Sequence, residues 1–382
     1  MSTVCPLLWN HSFISTTGHV KPCCRSKDNH LSQDWHDADF GQGIMSAAHK
    51  TARQQMRQGE WPSACQICKA HEKEFGYSAR TQYLEVYDID YNHEPSYIES
   101  IDVKFNNICN LACVMCNTES SSKINYFVQA HGKLCPSSMS TYKNIDWQEQ
   151  KKLEWCKSVI SQGHLKTLKT TGGEPFAQKH FWQLIDWCIE TEQTNFEIKV
   201  TTNGTKFNKK FLDKLSRFQS VQLCISCDGT HGVYNYIRYG SDWTSFTQKI
   251  ETLCDYVDRY ETFSRPNLHC VLQAYNCHNI KDLYKFSIQH NLEFTIDCYL
   301  NPLDSSFNIE SIPDKTRRKI IKKSKLSDVD NKNIQKYVHR MQSARYNPIK
   351  AQKLAKDTNN LDILRKTNSN DLGFPIMLTK IG

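Results

Sequence analysis

No long apolar run occurs anywhere in this 382-residue chain, and its mean hydropathy of -0.61 lies well on the polar side; a membrane-spanning helix is therefore not expected. Residues 1–10 lack both a basic start and an apolar stretch, so neither a secretory signal nor an anchor is readable there, and a soluble cytoplasmic protein is expected. Internal repeats and strict low-complexity tracts are missing as well, which sets repeat architectures aside. The most telling absence is local. Cys109, Cys113 and Cys116 form a C-x3-C-x2-C triplet in Asn-Ile-Cys-Asn-Leu-Ala-Cys-Val-Met-Cys, with no fourth thiol beside it. A structural zinc site is closed by four ligands and a complete iron-sulfur cluster usually takes four cysteines, so three thiols leave one metal position open to chemistry.

What the chain does have is length enough for one domain of barrel size plus an appendage, and 17 cysteines. In a reducing compartment such thiols read as metal ligands before disulfides. Cys156, Cys188, Cys224, Cys254 and Cys270 fall inside apolar-periodic segments, where a free cysteine is expected to pack as a small hydrophobe. The formal net charge of +8 would suit a polyanionic partner, but seven cysteines ligating two iron-sulfur clusters would reduce it to roughly +5, a weak argument for nucleic acid. The densest basic run, Lys315, Arg317, Arg318, Lys319, Lys322, Lys323 and Lys325 around Ile320 and Ile321, reads as a solvated helix face, with an RNA or acidic-partner contact as the other reading.

From residue 97 to about 301, strand-like and helix-like segments alternate, the pattern of a parallel sheet wound with helices. Strands are expected at 98–105, 165–170, 196–201, 221–226, 268–274 and 292–299, and helices near 120–130, 180–190, 209–218, 243–259 and 280–290. Six such pairings, short of the last helix, predict an α/β fold with a partial (βα)6 TIM-like barrel instead of a closed one of eight. The expected division is a small Cys-rich N-terminal module at 1–92, the barrel at 97–300, and a polar C-terminal extension at 301–382, helical or partly disordered. In the first part Cys5-Pro6 opens the segment, Gly18 to Cys24 closes a hairpin, a helix-like stretch runs over 44–57, and Cys65 and Cys68 follow. The extension shows helical patterns at 314–325 and 334–344, and beyond Asn347 the periodicity fades.

Each polar motif of the core lies at the C-terminal end of an expected strand. The cysteine loop follows the first; Thr171, Gly172, Gly173, Glu174 and Pro175 follow the second; Thr202, Asn203 and Gly204 follow the third; Ser226, Cys227, Asp228 and Gly229 end the fourth. In a parallel α/β barrel those ends share the face on which active sites are built, so the scattered motifs are expected to converge. Taken alone, the triplet also fits a zinc knuckle or a redox pair, and Asp228-Gly229 reads only as a turn.

Together the triplet, the Gly-Gly-Glu-Pro turn and the strand-end residues resemble the radical S-adenosylmethionine superfamily over residues 97–300. The resemblance implies that Cys109, Cys113 and Cys116 hold a 4Fe-4S cluster whose fourth iron is chelated by the amine and carboxylate of S-adenosylmethionine. It implies that Gly172 and Gly173 bring backbone close to that amine, and that Glu174, beside Pro175, accepts a hydrogen bond from it. By the same resemblance Asn203 and Ser226 meet the ribose or carboxylate, and Arg238 pairs with the carboxylate. The implied reaction is of oxidoreductase type: reductive cleavage of S-adenosylmethionine to a 5′-deoxyadenosyl radical that abstracts a hydrogen atom from substrate, with a flavodoxin or ferredoxin as electron donor. One departure is Met115, which stands before the third cysteine where many members carry an aromatic against adenine; its thioether can make a similar sulfur-to-ring contact.

Cys5, Cys23, Cys65 and Cys68 resemble the auxiliary-cluster modules called twitch or SPASM domains, through the Gly-x-x-x-Pro-Cys hairpin and the terminal Cys-x-x-Cys. The usual module follows the core, whereas this one precedes it. Four thiolates fit a second, fully ligated 4Fe-4S cluster, with a zinc staple of the same thiols as the alternative. Cys23 is chosen for its place after Pro22, and Cys24 could serve instead. Because such modules accompany enzymes that modify peptides, a peptide or protein substrate is expected. The same chemistry on a nucleotide, sugar or other small metabolite is the alternative. A non-catalytic metal-bound protein holding RNA or a partner through its basic helix is the rival from another class. Gln273, Asn276, Asp297 and Tyr299 are candidate substrate-facing groups at strand ends, and Cys298 a candidate hydrogen-atom donor.

Overall fold

The computed structural model describes residues 3–26, 40–136, 139, 147–298 and 305–372; Tyr299 lies outside them. The strands are β1 (His11–Ile14), β2 (Val20–Lys21), β3 (Ser100–Val103), β4 (Thr167–Thr170), β5 (Glu197–Thr202), β6 (Ser220–Ser226), β7 (Asn267–Val271) and β8 (Glu293–Asp297). They form one 8-stranded sheet in the order β2-β1-β3-β4-β5-β6-β7-β8. From β3 to β8 the spatial order is the sequence order, with helices in every connection. This is the expected open α/β core; all six expected strands are present, several of them shorter than their apolar runs.

The hairpin expected near Gly18 joins two short strands whose place in the core sheet was not expected. β1 is buried along its length and pairs in parallel with β3, His11 opposite Ser100 and Ile14 opposite Val103. β2 returns antiparallel to it across Gly18, whose φ of 85° needs a residue without a Cβ. The N-terminal segment therefore extends the core sheet. A four-residue strand is too short to display a period, which is why the sequence shows only a hairpin there.

The chain packs as two compact units: Met1–Asn106, Asn144–Val200 and Asp213–Val221 in the first, Asn107–Lys143, Thr201–Leu212 and Gln222–Gly382 in the second. In the first unit β1, β3, β4 and β5 pair in parallel. Ile198 and Val200 are buried while Glu197 and Lys199 between them are half-exposed, so one sheet face is apolar and the other charged. On the charged face Lys169 Nζ lies 3.2 Å from Asp102 and Lys199 Nζ 3.1 Å from Glu197. The helix Lys179–Glu190 buries Phe181, Leu184, Ile185 and Cys188, a spacing that places them on one face. Lys152, in a helix the periodicity did not flag (Glu149–Ser161), is buried and donates to the carbonyls of Thr16, Lys104 and Phe105 at 2.7, 2.8 and 3.0 Å.

In the second unit β6, β7 and β8 pair in parallel, and the chain ends in the helices Asp314–Ser324, Lys332–Ser343 and Pro348–Arg365. The last of these corrects the reading that the pattern fades beyond Asn347. Asn347 caps it, accepting from Lys350 N at 3.0 Å, Pro348 takes the first turn, and Lys366 ends it at a φ of 54°. It buries Ala351, Leu354, Thr358, Leu361 and Arg365, a stripe spaced alternately by three and four residues. Only two of these five are strongly apolar, so the stripe is real in packing and nearly blank in hydropathy.

Arg317 is also a correction. It is buried, not part of a solvated face, and donates to Met341 O at 3.0 Å, Ile309 O at 3.2 Å, Ile312 O, Ala344 O and Asp314 Oδ1. Lys315, Arg318, Lys319, Lys322, Lys323 and Lys325 remain exposed. Of the cysteines expected in the core, Cys156, Cys188 and Cys270 are fully buried, while Cys224 and Cys254 are only partly so. Among the described residues no helix is long and apolar enough to cross a membrane.

Candidate active site

The three-cysteine loop belongs to the second unit. Its apolar residues anchor it: Leu111, Ala112 and Val114 are fully buried. Ala112 N donates to Tyr239 O and Val114 N to Ile237 O, both at 2.9 Å, and Cys116 N donates to Cys113 O at 3.2 Å. Ser121 Oγ, which caps the following helix Ser122–His131, donates to Leu111 O at 2.6 Å. The loop is thus fastened on the residues between the thiols. Cys113 is buried and Cys109 and Cys116 are partly so.

Two guanidinium groups sit beside this loop. Arg238 Nη1 donates to Cys113 Sγ at 3.8 Å and Nη2 pairs with Asp228 Oδ2 at 2.6 Å. Asp228, fully buried, also accepts from Val271 N at 2.8 Å; the turn residue of the sequence is in fact the counter-charge of Arg238. Burial works to discharge Arg238, but Asp228 and the thiols hold it well above its usual value. Arg365 donates to Ala112 O at 2.6 Å and Tyr236 O at 3.1 Å. The hydrogen bond between Cys113 and Cys116 is the main reason Cys113 is lowered to about 7, with the charges of Arg238 and Arg365 helping and burial opposing. The same bond raises Cys116, so Cys113, which Arg238 faces, is the more easily deprotonated of the two.

Asn203 is brought to the same loop. Its Nδ2 donates to Cys109 Sγ at 3.8 Å and Asn110 Oδ1 at 3.1 Å, and its Oδ1 accepts from Thr205 N at 2.9 Å and Thr205 Oγ1 at 2.6 Å. Thr205 Oγ1 in turn accepts from Asn110 Nδ2 at 2.9 Å. Thr205 and Arg365 are site residues that no sequence motif marked, and Asp228 was marked only as a turn. Ser226 ends β6 half-buried and is in register with His269 of β7, whose Nε2 lies 3.3 Å from Asp297 Oδ2.

Of the other strand-end candidates, Gln273 is fully buried with both amide atoms unpartnered. Asn276 is consumed locally, donating to Val271 O at 2.9 Å and accepting from Gln273 N at 2.8 Å. Burial pushes the Cys298 thiol up to about 12.

Gly172, Gly173, Glu174 and Pro175 belong to the first unit. Both glycines have left-handed backbone, φ 76° and 54°, and a Cβ on Gly172 would lie 2.8 Å from the Lys104 side chain. Glu174 is fully buried and its Oε1 accepts from Phe176 N at 3.1 Å. Gln178, another residue without a sequence signal, ties the turn down by donating to Gly172 O at 2.7 Å and Asn106 O at 3.3 Å.

The second cysteine set also lies in the first unit. Cys5 feels the charges of Cys23 and Cys68, and Cys65 those of Cys23, Cys5 and Cys68, so the four thiols are neighbours. Burial raises all of Cys5, Cys23 and Cys65, Cys23 to about 12. Cys5 and Cys65 pack against Leu8, Trp9, Ala52 and Met56, whereas Cys24 is exposed. Arg80 stands nearby, 2.6 Å from Glu72 and 5.2 Å over the Trp61 ring.

Among the described residues no three His, Cys, Asp or Glu side chains are drawn together tightly enough to hold a single metal ion; neither thiol set is a ready-made mononuclear site. The donor chemistry fits an iron-sulfur cluster, since both sets are soft thiols; Arg238 favours the thiolate of Cys113, and Arg80 pulls Cys5 and Cys65 the same way against the stronger effect of burial.

Curated relatives include the Mycofactocin maturase MftC of Mycobacterium ulcerans (strain Agy99), 26% identical over 149 residues, which are 38% of this chain and 33% of that one. The Mycofactocin maturase MftC of Mycolicibacterium smegmatis is 28% identical over 130 residues, 33% of this chain and 26% of that one. The chain therefore spans a third or less of the curated relatives it matches. Distant likenesses exist to two solved structures. Streptococcus suis SuiB bound to S-adenosylmethionine has a TM-score of 0.41 and 13% identity over 74% of this chain and 59% of that one. Native anSMEcpe with bound AdoMet has a TM-score of 0.40 and 20% identity over 59% and 58%. Residues 103–270, less than half of the chain, match the Radical SAM superfamily, and this segment carries the cysteine triplet, the Gly-Gly-Glu-Pro turn, Asn203, Ser226 and Arg238.

Proposed function

We propose that this protein is a cytoplasmic radical S-adenosylmethionine enzyme with a 4Fe-4S cluster on Cys109, Cys113 and Cys116, a second on Cys5, Cys23, Cys65 and Cys68, and a peptide or protein substrate. The observation that carries the reading is the thiol trio inside the matched segment, with Arg238 donating to Cys113 and Asn203 to Cys109. When bound, the cluster and S-adenosylmethionine supply a one-electron reductive cleavage whose 5′-deoxyadenosyl radical takes a hydrogen atom from substrate.

The chain's own groups bind and orient. The thiolates of Cys109, Cys113 and Cys116 ligate, and Arg238, kept charged by Asp228, offsets their negative charge. Gly172 and Gly173 present backbone at close range because they carry no Cβ, and Glu174 presents a carboxylate oxygen to an amine. Ser226 offers a hydroxyl at the end of β6. His269 Nε2, from the middle of β7, lies 3.3 Å from Asp297 Oδ2 at the end of β8, a polar pair on this side of the sheet. Residues 1–92 act as the auxiliary module, 97–300 as the catalytic core and 301–382 as its helical extension.

The peptide assignment draws on the four-cysteine set and on the maturases among the relatives. A flavodoxin or ferredoxin delivers the electron. Anaerobic protein given a reductant and S-adenosylmethionine is expected to release 5′-deoxyadenosine, and Cys113→Ala to release none. Product from that variant, or zinc alone at the trio in the wild type, overturns the assignment. A mass change in a short precursor peptide encoded beside the gene tests the substrate class, and turnover of a nucleotide or sugar instead would replace it.

A further inference from the structure

We propose that Arg365, the last residue of the helix Pro348–Arg365, is a positioning residue of the three-cysteine loop, which makes the C-terminal helix a working part of the reaction centre. The inference rests on the reading of Cys109, Cys113 and Cys116 as cluster ligands. Arg365 Nη2 donates at 2.6 Å to the carbonyl of Ala112, the residue next to Cys113, and Nη1 donates at 3.1 Å to Tyr236 O. The guanidinium lies 4.7 Å over the Tyr239 ring, and Tyr239 OH donates to Arg365 O at 3.3 Å. One side chain therefore joins the thiol loop to segment 236–239, which also carries Arg238, the donor to Cys113.

The helix that presents Arg365 is itself anchored. Thr358 Oγ1 is 2.7 Å from Tyr275 OH, Asp357 Oδ2 accepts from Ser306 Oγ at 2.7 Å, and Leu354 and Leu361 are fully buried. Arg365 is buried too, at 5% exposure. A clamp between two carbonyls needs only N–H donors, and burying a charge for that purpose is costly. The cation has a second use beside thiolates: it favours the more negative, reduced form of a cluster bound there, and so raises its potential.

Two substitutions separate the grip from the charge. Arg365→Lys keeps the cation but loses the planar two-pronged donor, and Arg365→Gln loses the cation. In iron-free protein, hydrogen exchange at Ala112 N and Val114 N is expected to quicken by roughly tenfold or more in both variants, the loss of a charge-assisted bond. Tyr239→Phe, which removes only the hydroxyl contact, quickens it less. After anaerobic reconstitution without S-adenosylmethionine, the midpoint potential is expected to move negative in Arg365→Gln and to stay near the wild-type value in Arg365→Lys. Arg318→Gln, an exposed charge elsewhere in the same extension, changes neither. Unchanged exchange in both Arg365 variants, an unchanged potential in Arg365→Gln, or equal effects from Arg318→Gln overturns the proposal. Absence of a cluster at the trio in wild-type protein instead overturns the site reading, while the exchange data still judge the clamp.

Discussion

Asp228 and Arg238 form a buried ion pair, 0% and 10% exposed at their side chains, whose cation also touches Cys113. Removing one partner of such a pair strands the other charge, a loss of about 3–5 kcal/mol. Asp228→Ala is expected to lower stability by that order in chemical denaturation of the iron-free protein. Asp228→Asn, still able to accept from Val271 N, is expected to lose less. A second residue-level prediction concerns His11 in β1. Its Nδ1 meets Ser100 Oγ at 2.9 Å, and burial pushes it down from 6.5 to about 4 against the pull of Asp102. Below about pH 6.5 the unfolded chain takes up a proton that the folded chain refuses, so this stabilisation is whole above that pH and is lost as pH falls towards about 4. The loss amounts to ~3 kcal/mol. Denaturation midpoints at about pH 7 and pH 4.5 check it: His11→Gln should remove this part of the difference, and an unchanged difference would contradict it.

The helix Pro348–Arg365 shows how an element can be strong in structure and faint in sequence. Leu361 is fully buried and Ile363, two residues on, is 58% exposed. Leu361→Ala is expected to cost about 2–5 kcal/mol through the cavity it leaves, and Ile363→Ala less than about 0.5 kcal/mol. Equal effects in thermal or urea unfolding would mean that the helix is not seated as described. Arg317 makes a related point in the helix Asp314–Ser324. Its neighbours in the basic run are solvated, but its own guanidinium gathers the carbonyls of Ile309, Ile312, Met341 and Ala344. Charge density along a sequence does not distinguish a cation that meets water from one that closes a turn.

At the scale of the molecule, the two thiol sets lie in different compact units, which predicts that they load independently. Wild-type protein reconstituted anaerobically is expected to hold about eight irons per chain, and Cys65→Ala with Cys68→Ala about four, with the Cys109 site still filled. Iron and sulfide assay together with electron paramagnetic resonance reads both numbers. Loss of all iron in the double variant would show the sites to be coupled.

The open α/β core and the cysteine triplet were legible in the sequence because their signals are local. Strand periods of two, helical spacings and the C-x3-C-x2-C interval are set within a dozen residues, and the motifs fall at strand ends for the same reason. The family resemblance, not a local period, singled out Asn203 and Arg238 and gave them the ribose or carboxylate of S-adenosylmethionine as partners; their protein contacts, to Cys109 and to Cys113 and Asp228, came from the structure. What only the tertiary structure decided are contacts over long separations: β1 beside β3, Asp228 as the partner of Arg238, and Arg365 against Ala112, 253 residues away in sequence. A buried charge or a four-residue strand has no period of its own. Its place follows from which groups need a counter-charge, a donor or an edge once the rest of the chain has packed.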